Sequence, residues 1–161
     1  MRFFFDTEFY EDGKQIHPIS IGIVSEKGDV YYAEFDRAQK WARKSQWLRE
    51  NVLPHLRGPM KETAEIAEDI IKFVGEEPEF WAYFAAYDWV MMCQIFGTMM
   101  ELPKGWPMRC NDVAQLYALT PVAIRNQIVR PDNSAVHDAL ADAIWCKDFF
   151  INVAMALKGK K

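Results

Sequence analysis

The sequence is poor in cysteine, in long apolar runs and in positive charge, and each shortage excludes a class of protein. Its three cysteines, Cys93, Cys110 and Cys146, lack the paired CxxC spacing of a disulfide framework or a zinc site. No apolar run approaches the roughly 20 residues that a membrane helix needs. Asp6 and Glu8 interrupt the segment where a signal peptide would have its apolar core, so we expect a cytoplasmic protein without an export signal.

No internal repeat, linker or low-complexity tract divides the 161 residues, and this length is typical of one domain. Hydrophobic residues make up 50% of the chain and charged residues 26%, which is ordinary for a folded soluble protein. We therefore predict one domain over residues 1–157, followed by a lysine-rich tail at 158–161, and no association with membranes.

The opening stretch, MRFFFDTEFY, joins an apolar run to two carboxylates. Because side chains on a strand alternate between faces, Asp6 and Glu8 would project together from the end of a strand built on Phe3, Phe4 and Phe5. Two like charges held that close repel each other, and burial raises the cost. A divalent cation turns this cost into a gain, because hard cations bind clustered carboxylate oxygens. The alternative is a strand end leading into a polar turn, with one carboxylate serving as a cap.

Apolar periodicity predicts an antiparallel meander followed by alternating strands and helices. The first strand, His17–Val24 and Val30–Phe35 are separated by short polar turns, which indicates that they pair in order. Later strands are predicted at Glu79–Tyr87 and Met108–Asn111. Helices are predicted at Ser45–Leu53, Lys61–Val74 and Trp89–Phe96, in the residues up to Leu119, and from about Asp138 to Leu157.

Asp88 follows a long apolar run, in the sequence AAYDWV. An Asp at a helix start usually caps the helix by accepting backbone N–H bonds. Taken alone, Asp88 is therefore an N-cap. Together with Asp6 and Glu8, it is better explained as a third carboxylate facing a metal.

The segment Arg37–Arg49 contains five cations and no acid, interleaved with Trp41 and Trp47. Cations that follow a phosphate backbone and rings that stack on bases are what single-stranded nucleic acid binding uses. The alternative is an amphipathic helix whose tryptophans dock on the sheet. We favour docking for the tryptophans and an electrostatic role for some of the cations, and we keep Trp41 and Arg43 as candidate RNA contacts.

Two other segments carry weaker indications. The loop predicted at Thr120–Ala135 contains Arg125 and Arg130, which are candidates for phosphate contacts, although surface arginines are common without a ligand. The methionines at positions 91, 92, 99 and 100 are typical of adaptable packing. They also leave a homodimer contact open.

The last motif, VHDALADA, contains His137 and Asp142. On a continuous helix, five residues turn through about 140°, so these two side chains cannot share a face. The conflict disappears if Asp138 is the N-cap, because His137 then lies in the preceding loop and Asp142 in the first turns of the helix. We therefore expect a mobile histidine beside a rigid carboxylate.

Asp-x-Glu near the amino end, a middle Asp before a helix and a late His-x-x-x-x-Asp together resemble the DEDDh group of 3′→5′ exonucleases, which share the ribonuclease H-like fold. The DTEF opening, the ISIGIV second strand and the WLRENVLPHL segment are similar, more narrowly, to a small bacterial and phage exoribonuclease group. The resemblance extends from Met1 to about Leu157. It implies an α/β fold with a mixed five-stranded sheet, antiparallel strands first and parallel strands after, flanked by helices.

The resemblance also implies hydrolysis of single-stranded RNA from its 3′ end, including the overhang of a duplex, with release of 5′-mononucleotides. Asp6, Glu8, Asp88 and Asp142 would hold two Mg²⁺ or Mn²⁺ ions about 4 Å apart. His137 would act as the general base on the attacking water.

Substrate contacts are expected on both sides of this site. Phe9 would pack on the terminal base, and the backbone groups of Thr7 and Phe9 would position its sugar. The candidate substrate contacts are Thr7, Phe9, Trp41, Arg43, Arg125 and Arg130.

The net charge of −4 differs from the basic charge typical of nucleic-acid-binding proteins. The four acids of the proposed site contribute four negative charges, which two divalent cations would cancel. The remaining acidic character disfavours non-specific binding to long duplexes more than binding of a few nucleotides at a chain end.

Three other functions stay open. A DNA-directed proofreading nuclease fits as well, because nothing in the sequence indicates how a 2′-hydroxyl is sensed. A metal-dependent phosphatase or small-oligonucleotide hydrolase would use the same site. A nucleic-acid-binding module with a decayed site is the third, and the intact set of acids and His137 argues against it.

Overall fold

The computed structural model describes residues 1–132 and 136–159, in which the chain forms an α/β fold with a mixed six-stranded sheet. The strands are β1 Arg2–Glu11, β2 Ile16–Ser25, β3 Val30–Phe35, β4 Met60–Lys61, β5 Glu79–Ala82 and β6 Asn111–Asp112. The helices are α1 Ala38–Ala42, α2 Gln46–Asn51, α3 Thr63–Val74, α4 Ala86–Ile95, α5 Val113–Leu119, α6 Val122–Arg125 and α7 Ala139–Lys158, with short 3₁₀ turns at Leu53–His55 and Met99–Glu101. Within these described ranges, no helix is both long and apolar enough to cross a membrane.

The strands lie in the order β4-β3-β2-β1-β5-β6. β1, β2 and β3 form the predicted antiparallel meander, whereas β4, β5 and β6 pair in parallel with their neighbours. The expected α/β architecture is confirmed and is consistent with a ribonuclease H-like fold. The predicted number of strands is wrong for the described part of the chain. The additional strand, β4, has only two residues and is too short to leave a periodic pattern in the sequence.

The strand predicted to extend from Glu79 to Tyr87 ends at Ala82. Phe84 adopts a left-handed φ of 59°, a conformation that an L-residue cannot keep within a strand. The chain turns there, and α4 begins at Ala86. Asp88 therefore lies within the first turn of α4, so its interpretation as an N-cap is wrong.

Two further segments differ from the prediction. β6 contains only Asn111–Asp112, later and shorter than the strand expected at Met108–Asn111. The loop expected at Thr120–Ala135 is interrupted by α6. The last three residues of that loop, 133–135, lie outside the described residues.

Hydrophobic side chains cover both faces of the sheet. Phe3 and Phe5 of β1 pack on one face with Ile21 and Ile23 of β2, under α3 and α4. Phe4 points to the opposite face and packs against α5 and α7. A smaller cluster joins α1 and α2 to the bulged part of β2. The alternation of Phe3, Phe4 and Phe5 thus places helices on both sides of the strand that carries the first two acids.

Helix α7 rests on the sheet at a glycine. Gly22 of β2 pairs with Asp6 of β1. A Cβ on Gly22 would lie 2.4 Å from the backbone of Ala139 and Leu140, well inside van der Waals contact. The missing side chain therefore allows the amino end of α7 to approach the strand position opposite Asp6.

Candidate active site

Five polar residues from four parts of the fold line one cavity of about 450 Å³. They are Asp6 and Glu8 of β1, Asp88 of α4, His137 and Asp142. Asp6 and Glu8 are two residues apart on a strand and project to the same side. The fold therefore brings together all five residues that were predicted from the sequence to be catalytic.

Asp88 is fixed by β1. Its Oδ1 accepts hydrogen bonds from the backbone N–H of Thr7 at 2.9 Å and from the Thr7 hydroxyl at 2.7 Å. Asp88 is 6% exposed, so these bonds are shielded from water. The residue between the two acids of β1 thus holds the third acid in place. Thr7 was predicted to contact substrate, and this bond to Asp88 was not predicted, because it joins residues 81 positions apart.

The turn before α4 is held by a residue from β6. Asp112 accepts the backbone N–H of Ala85 through Oδ2 at 3.0 Å. Its Oδ1 accepts the N–H of Ala114 at 2.7 Å and so caps α5. Asp112 therefore stabilises the turn that contains Phe84 and sets where α4, with Asp88, begins.

The start of α7 has the predicted arrangement. Asp138 is the N-cap and accepts the N–H groups of Leu140 at 3.0 Å and Ala141 at 3.2 Å. His137 lies outside the helix with a φ of 68°. Its backbone N–H donates to Oδ2 of Asp142 at 2.7 Å. The bend at His137 thus places the imidazole and the Asp142 carboxylate beside the same cavity, which a continuous helix could not do.

Glu8, His137 and Asp142 each offer one potential ligand atom, and these atoms lie within 4.8 Å of one another. His137 was predicted to be a general base and not a metal ligand. The described geometry brings its ring nitrogen as close to the carboxylates as a ligand would be. The imidazole is therefore within reach of any water that the carboxylates or a cation hold.

Burial and mutual repulsion perturb the acids of the cavity. Burial, together with the charge of Asp88 and then Glu8, raises the pKa of Asp6 well above its ordinary value. Burial and the charge of Asp142 raise the pKa of Glu8 to about 8. Burial raises the pKa of Asp88 to about 6, against the opposing hydrogen bonds from Thr7. The protein alone thus disfavours full ionisation of this cluster.

Aromatic rings form the wall of the cavity near α4. Phe9 stacks on Tyr87 with ring centroids 5.3 Å apart and planes 7° from parallel. Phe84, which is 69% exposed, packs against Tyr83 at 4.5 Å. Phe9 was predicted at this site. The rings of Tyr83, Phe84 and Tyr87 were not, because they belong to an apolar run whose pattern is typical of a continuous strand. In a continuous strand, these side chains would alternate between the two faces of the sheet. The turn at Phe84 directs them to the cavity instead.

The other candidate substrate contacts do not line this cavity. Trp41 stacks on His17 at 4.0 Å and on Tyr10 at 6.0 Å, which agrees with docking on the sheet. Arg43 is exposed and donates to the carbonyl of Gln39 at 3.0 Å.

The two loop arginines pack on an aromatic side chain. The guanidinium groups of Arg125 and Arg130 lie 5.7 Å and 5.2 Å from the ring centre of Tyr117. Their role as phosphate contacts stays a prediction.

Trp47 differs from the expectation that both tryptophans dock on the sheet. Its side chain is 48% exposed, and its ring meets the His137 ring edge to face, with centroids 4.6 Å apart. The basic segment that begins at Arg37 therefore contacts His137, a residue that lines the cavity, through Trp47.

The chain is similar in sequence to known proteins over most of its length. Residues 1–154 match the model of a family described as the Rv2179c-like 3′-5′ exoribonuclease domain. Two proteins of Mycobacterium tuberculosis, named 3′-5′ exoribonuclease MT2234.1 (strain CDC 1551 / Oshkosh) and 3′-5′ exoribonuclease Rv2179c (strain ATCC 25618 / H37Rv), are each 39% identical to this chain over 154 residues. Each match covers 89% of this chain and 87% of the relative.

Proposed function

The chain belongs to the Rv2179c-like 3′-5′ exoribonuclease domain family, and from this premise we propose that it is a metal-dependent exoribonuclease that removes 5′-mononucleotides from single-stranded RNA 3′ ends, including overhangs. The observation that carries the proposal is the convergence of Asp6, Glu8, Asp88, Asp142 and His137 on one cavity. Four carboxylates around a histidine have no evident role in stability, because burying them opposes their ionisation.

The donor set fits hard divalent cations. Glu8 and Asp88 are almost fully buried, and the pKa values of Asp6, Glu8 and Asp88 are raised by burial and by neighbouring acids. Such a cluster gains stability when cations neutralise it. Asp6, Glu8, Asp88 and Asp142 would hold two Mg²⁺ or Mn²⁺ ions. When bound, the ions would supply activation of water and neutralisation of the charge that develops on the leaving oxygen.

The chain's own contribution to the chemistry is proton transfer and positioning. His137 takes a proton from water as the water oxygen attacks phosphorus and the bond from phosphorus to the 3′ oxygen breaks. The hydrogen bond from its backbone N–H to Asp142 holds the base beside the carboxylates. The products are a 5′-mononucleotide and an RNA shortened by one residue, whose new 3′ oxygen takes up a proton.

The aromatic wall explains a preference for unpaired nucleotides. The stacked pair of Phe9 and Tyr87 and the exposed ring of Phe84 offer flat apolar surfaces beside the acids. Bases stack on such rings with little sequence preference, and only unpaired bases can present their faces to them. A single-stranded 3′ end therefore fits the cavity better than a blunt duplex.

Degradation of end-labelled strands tests the proposal. With Mg²⁺ or Mn²⁺, RNA labelled at its 3′ end should release labelled mononucleotide at once, while the same RNA labelled at its 5′ end should shorten stepwise. EDTA should abolish both. Matched DNA strands and blunt RNA duplexes are the comparison substrates.

Each alternative function predicts a different pattern. Faster degradation of DNA would indicate a DNA-directed nuclease. Binding of RNA without any cleavage would indicate a binding module. Internal fragments from both labels, or undiminished cleavage in EDTA, would contradict the proposed reaction.

A further inference from the structure

We propose that Arg57 and Trp47, which lie outside the catalytic motifs, are positioning residues that hold His137 over the acidic cavity. The inference rests on the proposed function, because it assigns to His137 the role of base. Both residues come from the segment between α1 and β4. They contact the two neighbouring residues at the start of α7, His137 and Asp138.

His137 needs support from outside its own segment. It precedes α7 and has a left-handed φ of 68°, a conformation that is strained for a non-glycine residue. The bond from its N–H to Asp142 fixes the backbone but leaves the imidazole free to rotate about its side-chain bonds. A base must keep its nitrogen near the water that it deprotonates, and an error of about 1 Å can cost about 100-fold in rate.

Trp47 supplies a contact to the imidazole. The two rings meet edge to face at 4.6 Å with an angle of 74° between their planes. The helix that carries Trp47 is fixed by its Ser45 cap, which accepts the Leu48 N–H at 3.1 Å, and by the buried side chain of Leu48. Trp47 itself remains 48% exposed, so burial of its indole does not account for its position. The contact with His137 accounts for the position of the Trp47 ring.

Arg57 holds the residue that follows His137. Its guanidinium donates to both carboxylate oxygens of Asp138, to Oδ1 at 3.1 Å through one nitrogen and to Oδ2 through the other. Asp138 is also the N-cap of α7, so Arg57 grips the residue that connects His137 to the helix. Although burial acts in the opposite direction, the hydrogen bond from Arg57 lowers the pKa of Asp138.

Arg57 is in turn fixed to the sheet by a buried acid that the proposed reaction does not use. Glu34 of β3 is 1% exposed, and its Oε1 accepts the backbone N–H groups of Arg57 at 2.5 Å and Gly58 at 2.6 Å. The hydroxyl of Tyr32 donates to the same oxygen at 3.0 Å, and the Tyr32 ring lies under the Arg57 guanidinium at 4.2 Å. A continuous set of contacts thus runs from β3 through Arg57 and Asp138 to His137.

A role in stability alone explains these contacts poorly. The side chain of Arg57 is 46% exposed and that of Asp138 is 11% exposed, so solvent screens the guanidinium and reduces what the pair contributes to folding. We therefore expect Arg57 and Trp47 to act mainly on turnover.

Variants of the full-length protein test this. Arg57→Gln and Trp47→Ala should each lower kcat by about 10- to 100-fold, with KM for a single-stranded RNA changed less than about 3-fold. Trp47→Phe, which keeps a ring, should recover most of the activity, and Arg57→Lys should recover part. Arg109→Gln, at an exposed arginine that does not line the cavity, is the matched control and should behave as wild type.

Combination with His137→Ala separates positioning from a general structural effect. If the two residues act through His137, Arg57→Gln and Trp47→Ala should cause no further decrease of the residual rate in the His137→Ala background. An equal fold-decrease in both backgrounds would overturn the proposal. So would wild-type kcat in both single variants.

A measurement without substrate distinguishes failure of this inference from failure of the proposed function. The imidazole proton signals of His137, assigned by their disappearance in His137→Ala, should shift in Trp47→Ala because the indole ring current is removed. Lys27→Ala, at an exposed turn position, is the control and should leave them unchanged. Unshifted His137 signals in Trp47→Ala would refute the ring contact whatever reaction the protein catalyses.

Discussion

Gly22 and Ala139 are in such close contact that a single methyl group between them would not fit. A Cβ on Gly22 would lie 2.4 Å from both the carbonyl carbon and the carbonyl oxygen of Ala139. Gly22 is also the partner of Asp6 across the sheet. This contact therefore sets how close the start of α7, with His137 and Asp142, comes to the acids of β1.

Gly22→Ala should damage both stability and catalysis. The neighbouring atoms belong to backbone and cannot rotate away, so α7 must move. We expect the free energy of unfolding, measured in urea, to fall by about 1–3 kcal/mol, and kcat to fall by at least about 10-fold as the two halves of the site separate. Gly159→Ala, whose Cβ would meet its nearest atom at 3.6 Å, should change neither. Wild-type stability and turnover in Gly22→Ala would contradict this account of the site.

Divalent cations should stabilise the protein through its carboxylates. A cation at about 100 times its Kd adds about 2.7 kcal/mol to the folded state, which corresponds to about 5–10 °C in Tm for a chain of this length. Asp6→Asn and Asp142→Asn should lose most of this shift. Asp148→Asn, at an exposed position of the same helix, should keep it. Equal shifts in wild type and all three variants would exclude the cavity as the metal site.

The metal-free protein should lose stability as pH rises. Glu8 has a pKa of about 8 in the folded protein against 4.5 ordinarily, so between these values the folded state retains a proton that the unfolded state has released. The free energy of unfolding therefore decreases as pH rises, by at most about 1.4 kcal/mol per pH unit for one group. In EDTA, thermal scans from pH 5 to about 8 should show a falling Tm. The Tm of Glu8→Gln should decline less with pH than that of wild type. Mg²⁺ should reverse the decline in wild type only. A Tm that rises with pH equally in wild type and Glu8→Gln would refute the proposed protonation of Glu8.

Replacement of His137 should separate chemistry from binding. His137→Ala should lower kcat by about 10²- to 10⁴-fold while still binding RNA and cations, because the four carboxylates remain. Wild-type activity should rise with pH, because a general base acts in its deprotonated form, and the residual activity of the variant should lose that dependence. His55→Ala and His17→Ala are controls, since neither residue lines the cavity. The assignment is falsified if either control, while folded, reproduces the effect.

The basic segment should contribute to RNA binding through charge. Lys40 and Arg43 are exposed and, within the described part of the chain, form no ion pair. Their reversal to Glu, in a His137→Ala background to prevent cleavage, should weaken RNA binding and reduce the slope of log Kd against log salt by about 0.7 for each phosphate that the protein no longer neutralises. Reversal of Lys27 and Lys104, which are exposed elsewhere and change the net charge equally, is the control. Identical salt slopes in the two double variants would indicate that the basic segment has a structural role and does not bind RNA through its charge.

Features encoded within a few neighbouring residues could be predicted from the sequence. The alternation of Phe3, Phe4 and Phe5 predicts β1 and its two covered faces, and the polar turns between apolar runs predict the meander. The cap at Asp138 is predicted because His137 and Asp142 could not otherwise share a site. The chain turn at Phe84 was missed, since an apolar run has the same appearance whether it continues as a strand or bends into a helix.

The sequence by itself thus determined the order of acids and base along the chain and the elements that carry most of them. Only the tertiary structure decided how they meet: Thr7 bonded to Asp88, Gly22 pressed against Ala139, and Arg57 joined to Asp138, the first and last of these over 81 positions of sequence. Such contacts depend on which strand pairs with which and on how closely a helix rests on a sheet. Neither quantity leaves a periodic signal in the sequence, because each arises from packing between segments that are neighbours only in space.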